Sequence, residues 1–103
     1  MTHSIKVDST YSTSEDIISR VIDGELIIVP LVAGIGNTDD ELFTLNDTGK
    51  SIWELLDGER TPRQIIKSLL VKYGAPEEEI KKDVIGLLAE LFKRRIIIEK
   101  KAN

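Results

Sequence analysis

Two short apolar runs, Ile17-Ile18-Ser19-Arg20-Val21-Ile22 and Glu25-Leu26-Ile27-Ile28-Val29, flank the dipeptide Asp23-Gly24. Their β-branched content, joined by two residues able to adopt positive φ, predicts a β-hairpin. Pro30 cannot donate to a strand ladder and marks its end, and the stretch Gly34-Ile35-Gly36-Asn37-Thr38-Asp39-Asp40 reads as a loop. A third strand is expected at Glu41-Leu42-Phe43-Thr44-Leu45. Three short strands form a thin sheet, which needs cover on one face to be stable.

The second half changes to helical spacing. Asn46 or Asp47 can cap a first helix whose apolar stripe is Ile52-Trp53-Glu54-Leu55-Leu56 and whose end is expected at Gly58. Thr61-Pro62-Arg63-Gln64 is a capping box with proline at the first helical position. Ile65, Ile66, Leu69, Leu70 and Tyr73 share the face that follows, and Gly74 closes that helix. A third helix opens at Pro76, with Glu77-Glu78-Glu79 in its first turn and Lys93-Arg94-Arg95 at its end, both signs placed as the helix dipole favours. Ile80, Val84, Leu87, Leu88 and Leu91 form its core stripe, and Ile96-Ile97-Ile98 suits a short terminal strand. The fold class expected is α+β, a three-stranded antiparallel sheet followed by three helices (β-β-β-α-α-α) with a short terminal strand. One domain is expected over residues 15–99, with a flexible segment at 1–14 and a tail at 100–103.

Length and composition agree with a single core: 103 residues, 41% hydrophobic and 31% charged. The chain has no cysteine, which excludes disulfides, thiolate nucleophiles and Cys-ligated metals, and its single histidine is His3, in the segment expected to be flexible. Asn37, Asp39, Asp40 and Glu41 lack the spacing of a calcium loop, and Gly34-Ile35-Gly36 is too short to cradle a dinucleotide. The adjacent carboxylates Glu77, Glu78 and Glu79 share one environment, whereas an acid-base pair needs environments that separate its pKa values. No catalytic residue, metal or cofactor is therefore expected. Neither a signal-peptide layout nor an apolar run of membrane-spanning length occurs, so the expected compartment is the cytoplasm.

Charge is unevenly distributed. Residues 1–60 hold 4 Lys/Arg against 12 Asp/Glu, giving −8, and residues 61–103 hold 10 against 6, giving +4. Either the halves attract each other within the fold, or a basic face awaits an acidic ligand. A second feature exceeds the needs of the core: Ile85 and Phe92, seven residues apart with Ala89 near them, widen the apolar stripe of the third helix on one flank. That flank is covered by another element, or it lines a groove for a peptide. The third strand, following a long loop, offers an edge to which a peptide strand can add.

The run Leu45-Asn46-Asp47-Thr48-Gly49-Lys50-Ser51-Ile52-Trp53-Glu54-Leu55-Leu56-Asp57-Gly58, then Thr61 opening a helix, Tyr73-Gly74, and Asp83-Val84 in a Leu-rich helix, resembles the PqqD-like family over roughly residues 15 to 99. The resemblance implies a winged-helix-like domain that binds the leader of a precursor peptide and presents it to a radical SAM enzyme or a leader peptidase. It also implies strand addition beside the third strand, against the third helix. Carried onto this sequence, the peptide-binding candidates are Glu41, Leu42, Phe43, Thr44 and Leu45, with Lys81, Lys82, Ile85, Ala89 and Phe92 on the helix. Two other functions compete. A winged-helix DNA-binding regulator would use Lys81, Lys82, Lys93, Arg94 and Arg95, but Glu77-Glu78-Glu79 would set three negative charges at the end of the helix that reads bases. A structural protein-protein interaction domain would need no leader. The expected partners are a leader peptide and its modifying enzyme, with neither nucleic acid nor membrane.

Overall fold

The computed structural model describes residues 5–31 and 43–100. In chain order its elements are β1 (Thr10–Thr13), β2 (Ile17–Ile22), β3 (Glu25–Pro30), β4 (Phe43–Leu45), α1 (Asp47–Glu54), α2 (Pro62–Tyr73), α3 (Glu77–Lys93) and β5 (Ile97–Lys100). The expected α+β order is present, and the strands divide into two sheets: β2-β3-β4, all antiparallel, and a separate antiparallel pair β1-β5.

The hairpin forms as its residues require. Asp23 and Gly24 adopt φ of 53° and 82°, and Ile22 pairs with Glu25 across them, so the two-residue turn matches the twist of the strands it joins. Along β3, Leu26 and Ile28 turn into the core, where Leu45 of β4 and Ile52 of α1 meet them. β2 forms the outer edge, and Ile18, Val21 and Ile22 stay exposed.

Helix α2 follows its local code at both ends. The Thr61 hydroxyl accepts from the Gln64 N–H, the Gln64 side chain accepts from the Thr61 N–H, and Gly74 closes the helix at φ 65°. Ile65, Ile66 and Leu69 then bury against Ile80, Val84, Leu88 and Leu91 of α3. The buried hydroxyl of Ser51 on α1 is satisfied by the Tyr73 hydroxyl at 2.7 Å and by the Lys72 ammonium, which donates to it at 2.8 Å. That contact holds α1 to the end of α2.

Three expectations are corrected. The segment before residue 15 is not free where it is described: β1 pairs with β5, and Tyr11, 1% exposed, belongs to the core, its ring meeting Phe92 edge-on with centroids 5.7 Å apart. Only one residue in four of β1 is apolar, so no hydrophobic run announces it. Secondly, α1 ends at Glu54 rather than at Gly58. Gly58 does take a left-handed φ of 80°, but it does so beyond the helix, where its N–H donates to the Tyr11 carbonyl and the chain passes close to Ser12 and Lys100. Thirdly, the terminal strand begins one residue later than expected and pairs with β1. Buried Ile96 instead closes α3, its N–H donating to the Leu91 carbonyl.

Candidate functional site

Among the described residues β4 has a hydrogen-bonded neighbour, β3, on one side only, through Leu26↔Leu45, Ile27↔Thr44 and Ile28↔Phe43. No described strand pairs with its other side, which is an edge. Beside it lies a groove of about 350 Å³ lined by Thr44, Leu45, Asn46, Thr48, Gly49, Ile52, Asp83 and Leu87. β4 and the first turns of α1 supply one wall, and α3 supplies the other.

The local sequence explains why the first wall takes this shape. Asn46 is extended, and its side-chain oxygen accepts from the Gly49 N–H at 2.9 Å, starting α1 immediately after the strand. Leu45 folds under that turn. A Cβ on Gly49 would sit 3.1 Å from Leu45 Cβ and 3.2 Å from Leu45 Cδ2, so glycine is what lets the helix approach the strand. The Leu-Asn-x-x-Gly run is thus the device that makes the corner between strand and helix.

On α3 the core stripe of Ile80, Val84, Leu88 and Leu91 separates two flanks. Asp83 and Leu87, four residues apart, stand on the flank that faces the groove. Leu87, expected in the core, is half-buried there. Ile85 and Phe92 stand on the opposite flank, half-buried and packed against the core, with Phe92 on Tyr11. Ala89 is half-buried and Lys82 exposed, and neither lines the groove. Lys81 lines a smaller cleft of about 150 Å³ together with Val7, Arg63, Ile66, Lys67 and Glu77.

The structure therefore brings Thr44 and Leu45 to the groove and does not bring Lys81, Lys82, Ile85, Ala89 or Phe92 there. Phe43 contributes backbone to β4. Glu41, Leu42, the loop from Gly34 to Asp40, His3 and the tail residues after Lys100 lie outside the described residues. The groove residues outside the expected set are Asn46, Thr48, Gly49, Ile52, Asp83 and Leu87. Their signal was present in Leu45-Asn46-Asp47-Thr48-Gly49 and in Asp83-Val84, read there as marks of family rather than of a surface.

Chemically the groove offers two hydroxyls, one carboxamide, one carboxylate and apolar surface. No group of three or more metal-ligating side chains occurs among the described residues. The shifted acidities belong to structural contacts elsewhere. Burial raises the Tyr11 phenol, the N–H groups of Glu59 and Arg60 lower Asp57, and Asp8, whose Oδ1 accepts from Arg63 Nε at 3.1 Å, raises the Arg63 guanidinium. An open strand edge beside a mixed groove suits an extended peptide: its main chain can pair with β4 while alternate side chains enter the groove.

The chain is similar to several known proteins. The PqqA binding protein of Gluconobacter oxydans (strain 621H) is 36% identical over 58 residues, which are 56% of this chain and 60% of that protein. The chain thus matches less than two thirds of that relative's length. The fold is shared with the PqqD truncation of Methylobacterium extorquens PqqCD, a stand-alone RiPP recognition element solved by NMR, at a TM-score of 0.72 and 19% identity over 93% of this chain and 96% of the other. It is shared also with lasso peptide synthetase B1 complexed with its leader peptide, at a TM-score of 0.71 and 17% identity over 87% and 99%. The family described as coenzyme PQQ synthesis protein D matches residues 29–97, from the end of β3 into β5, and the chain belongs to that PqqD family.

Proposed function

We propose that this chain captures the leader segment of a ribosomally made precursor peptide by adding it as a strand to the free edge of β4. It then presents the peptide to a modifying enzyme, a radical SAM enzyme or a leader peptidase, and transforms nothing itself. The observation that carries this reading is the open β4 edge facing α3 across the groove. The relatives support it: one is a PqqA binding protein, and another was solved with a leader peptide bound. The proposal places the module in the cytoplasm, and no helix among the described residues is long and apolar enough to cross a membrane.

DNA binding is disfavoured by electrostatics. Glu77, Glu78 and Glu79 are exposed in the first turn of α3, where a recognition helix would meet phosphates. The test is titration of isotope-labelled protein with the precursor peptide encoded beside it, followed by backbone NMR. Saturable shifts at Thr44, Leu45, Gly49, Asp83 and Leu87 are expected. Absence of binding, or shifts confined to the cleft at Arg63, Lys67 and Lys81, would refute it.

A further inference from the structure

Of the eight residues that line the groove, Asp83 alone carries a formal charge. No hydrogen bond or ion pair engages its carboxylate among the described residues. One turn away on α3, Leu87 gives the same wall an apolar patch. Across the groove stands the first turn of α1, whose N-terminal end brings a partial positive charge of about half a unit. Asp47, in that same turn, already offsets it with a full negative charge. The basic side chains Arg63, Lys67 and Lys81 gather instead at the other cleft. The one formal charge in the groove lining is therefore negative, opposite to what the basic second half of the sequence suggests.

We propose that the peptide received in this groove carries a lysine or arginine that seats against Asp83, with an apolar residue two positions away along the strand lying over Leu87. The inference rests on the leader-binding reading and adds the chemistry of the leader to it. An extended peptide on the β4 edge presents alternate side chains, about 7 Å apart, to the same wall. Residues one helical turn apart on α3 are spaced closely enough to receive two of them. A cation at the first position gains a partner that is otherwise unpaired, whereas an acidic residue there meets like charge. Asp83 thus acts as a determinant of specificity by attraction and by repulsion.

The experiment uses a displayed library of randomised dodecapeptides selected on the immobilised full chain, in parallel with its Asp83→Asn, Asp83→Lys, Phe43→Pro and Thr44→Pro variants. Circular dichroism melts of each variant establish that it is folded. Binders to the wild type are expected to be enriched in Lys or Arg at one position. That enrichment should vanish on Asp83→Asn and turn to Asp or Glu on Asp83→Lys. A selected peptide should lose about 2- to 5-fold in affinity for Asp83→Asn, the range of one partly screened charge pair. It should also weaken as salt rises toward 1 M. Binders without a basic preference, or a preference that survives Asp83→Asn, would overturn the proposal while leaving the leader-binding reading intact. A library that yields no binder, or binders indifferent to Phe43→Pro, Thr44→Pro and Asp83→Lys alike, would overturn both.

Discussion

Replacing Tyr11 tests whether β1 is a structural member of the domain. Its ring is 1% exposed, packs edge-on against Phe92 at 5.7 Å, and lies in the same core as Ile97 of β5, while its hydroxyl accepts from the Lys6 N–H at 3.0 Å. Tyr11→Ala removes a buried aromatic ring, and comparable truncations cost about 3–5 kcal/mol. A domain of this size has roughly 5–15 kcal/mol in total, and each kcal/mol is worth about 4–8 °C of melting temperature. The variant should melt more than about 10 °C below the wild type. Tyr11→Phe keeps the ring and the edge-on contact and loses one hydrogen bond of about 1 kcal/mol, a drop of about 4–8 °C.

The same pair of variants predicts a pH signature. Burial, opposed by the Lys6 N–H and reinforced by Glu99, holds the phenol above its ordinary value, so the fold favours the protonated form. Stability is then fully present below the unfolded pKa near 10 and falls as pH rises through it toward the folded value. Tyr11→Phe should flatten that alkaline fall. Thermal denaturation followed by circular dichroism between pH 7 and 11 measures all of this. A Tyr11→Ala protein melting within about 3 °C of the wild type would show that β1 adds nothing to the fold.

Gly49→Ala should cost about 1–3 kcal/mol in denaturant unfolding, because its methyl group would press on Leu45 at 3.1 Å with a strand on one side and a helix on the other. Leu88→Glu should abolish cooperative unfolding, since its position is 0% exposed and an unpaired charge there costs several kcal/mol. Leu87→Glu, half-buried on the groove wall, should retain most of the melting temperature and lose leader affinity in calorimetry. Of Phe43→Pro and Thr44→Pro, one should weaken leader binding and the other leave it nearly unchanged, because successive N–H groups of a strand point to opposite sides. Equal effects of the two in a binding titration would argue against strand addition at β4.

What the sequence made legible is what short-range chemistry encodes. The ends of α2 could be read because Thr61, Gln64 and Gly74 act within a few residues of one another, and the hairpin because Asp23-Gly24 suits its turn. β1 was hidden because its partner lies about ninety residues away and a single tyrosine carries its apolar content. Gly58 misled for a related reason: its left-handed backbone serves the contact with Tyr11, not the end of α1. The candidate site was half legible. The edge strand could be inferred from order alone, but α3 is apolar on both sides of its stripe, and helical spacing cannot say which side another element covers. Packing of Phe92 on Tyr11 decides that question, and it leaves Leu87 and Asp83 to the groove.

The pairing of β1 with β5 has a consequence for how such a domain can be attached to other proteins. Thr10 lies opposite Lys100 in an antiparallel ladder, so the start of β1 and the end of β5 lie side by side, about 5.5 Å apart. Neither strand contributes a residue to the groove at β4. A linker grafted at one or both of these strand ends adds an enzyme without touching the β4 edge, and the unit can be inserted into a host loop with little need to stretch it. Circular permutants that retain residues 5–9, link them to Lys100 and open the chain at Asp23-Gly24 should keep the groove whole.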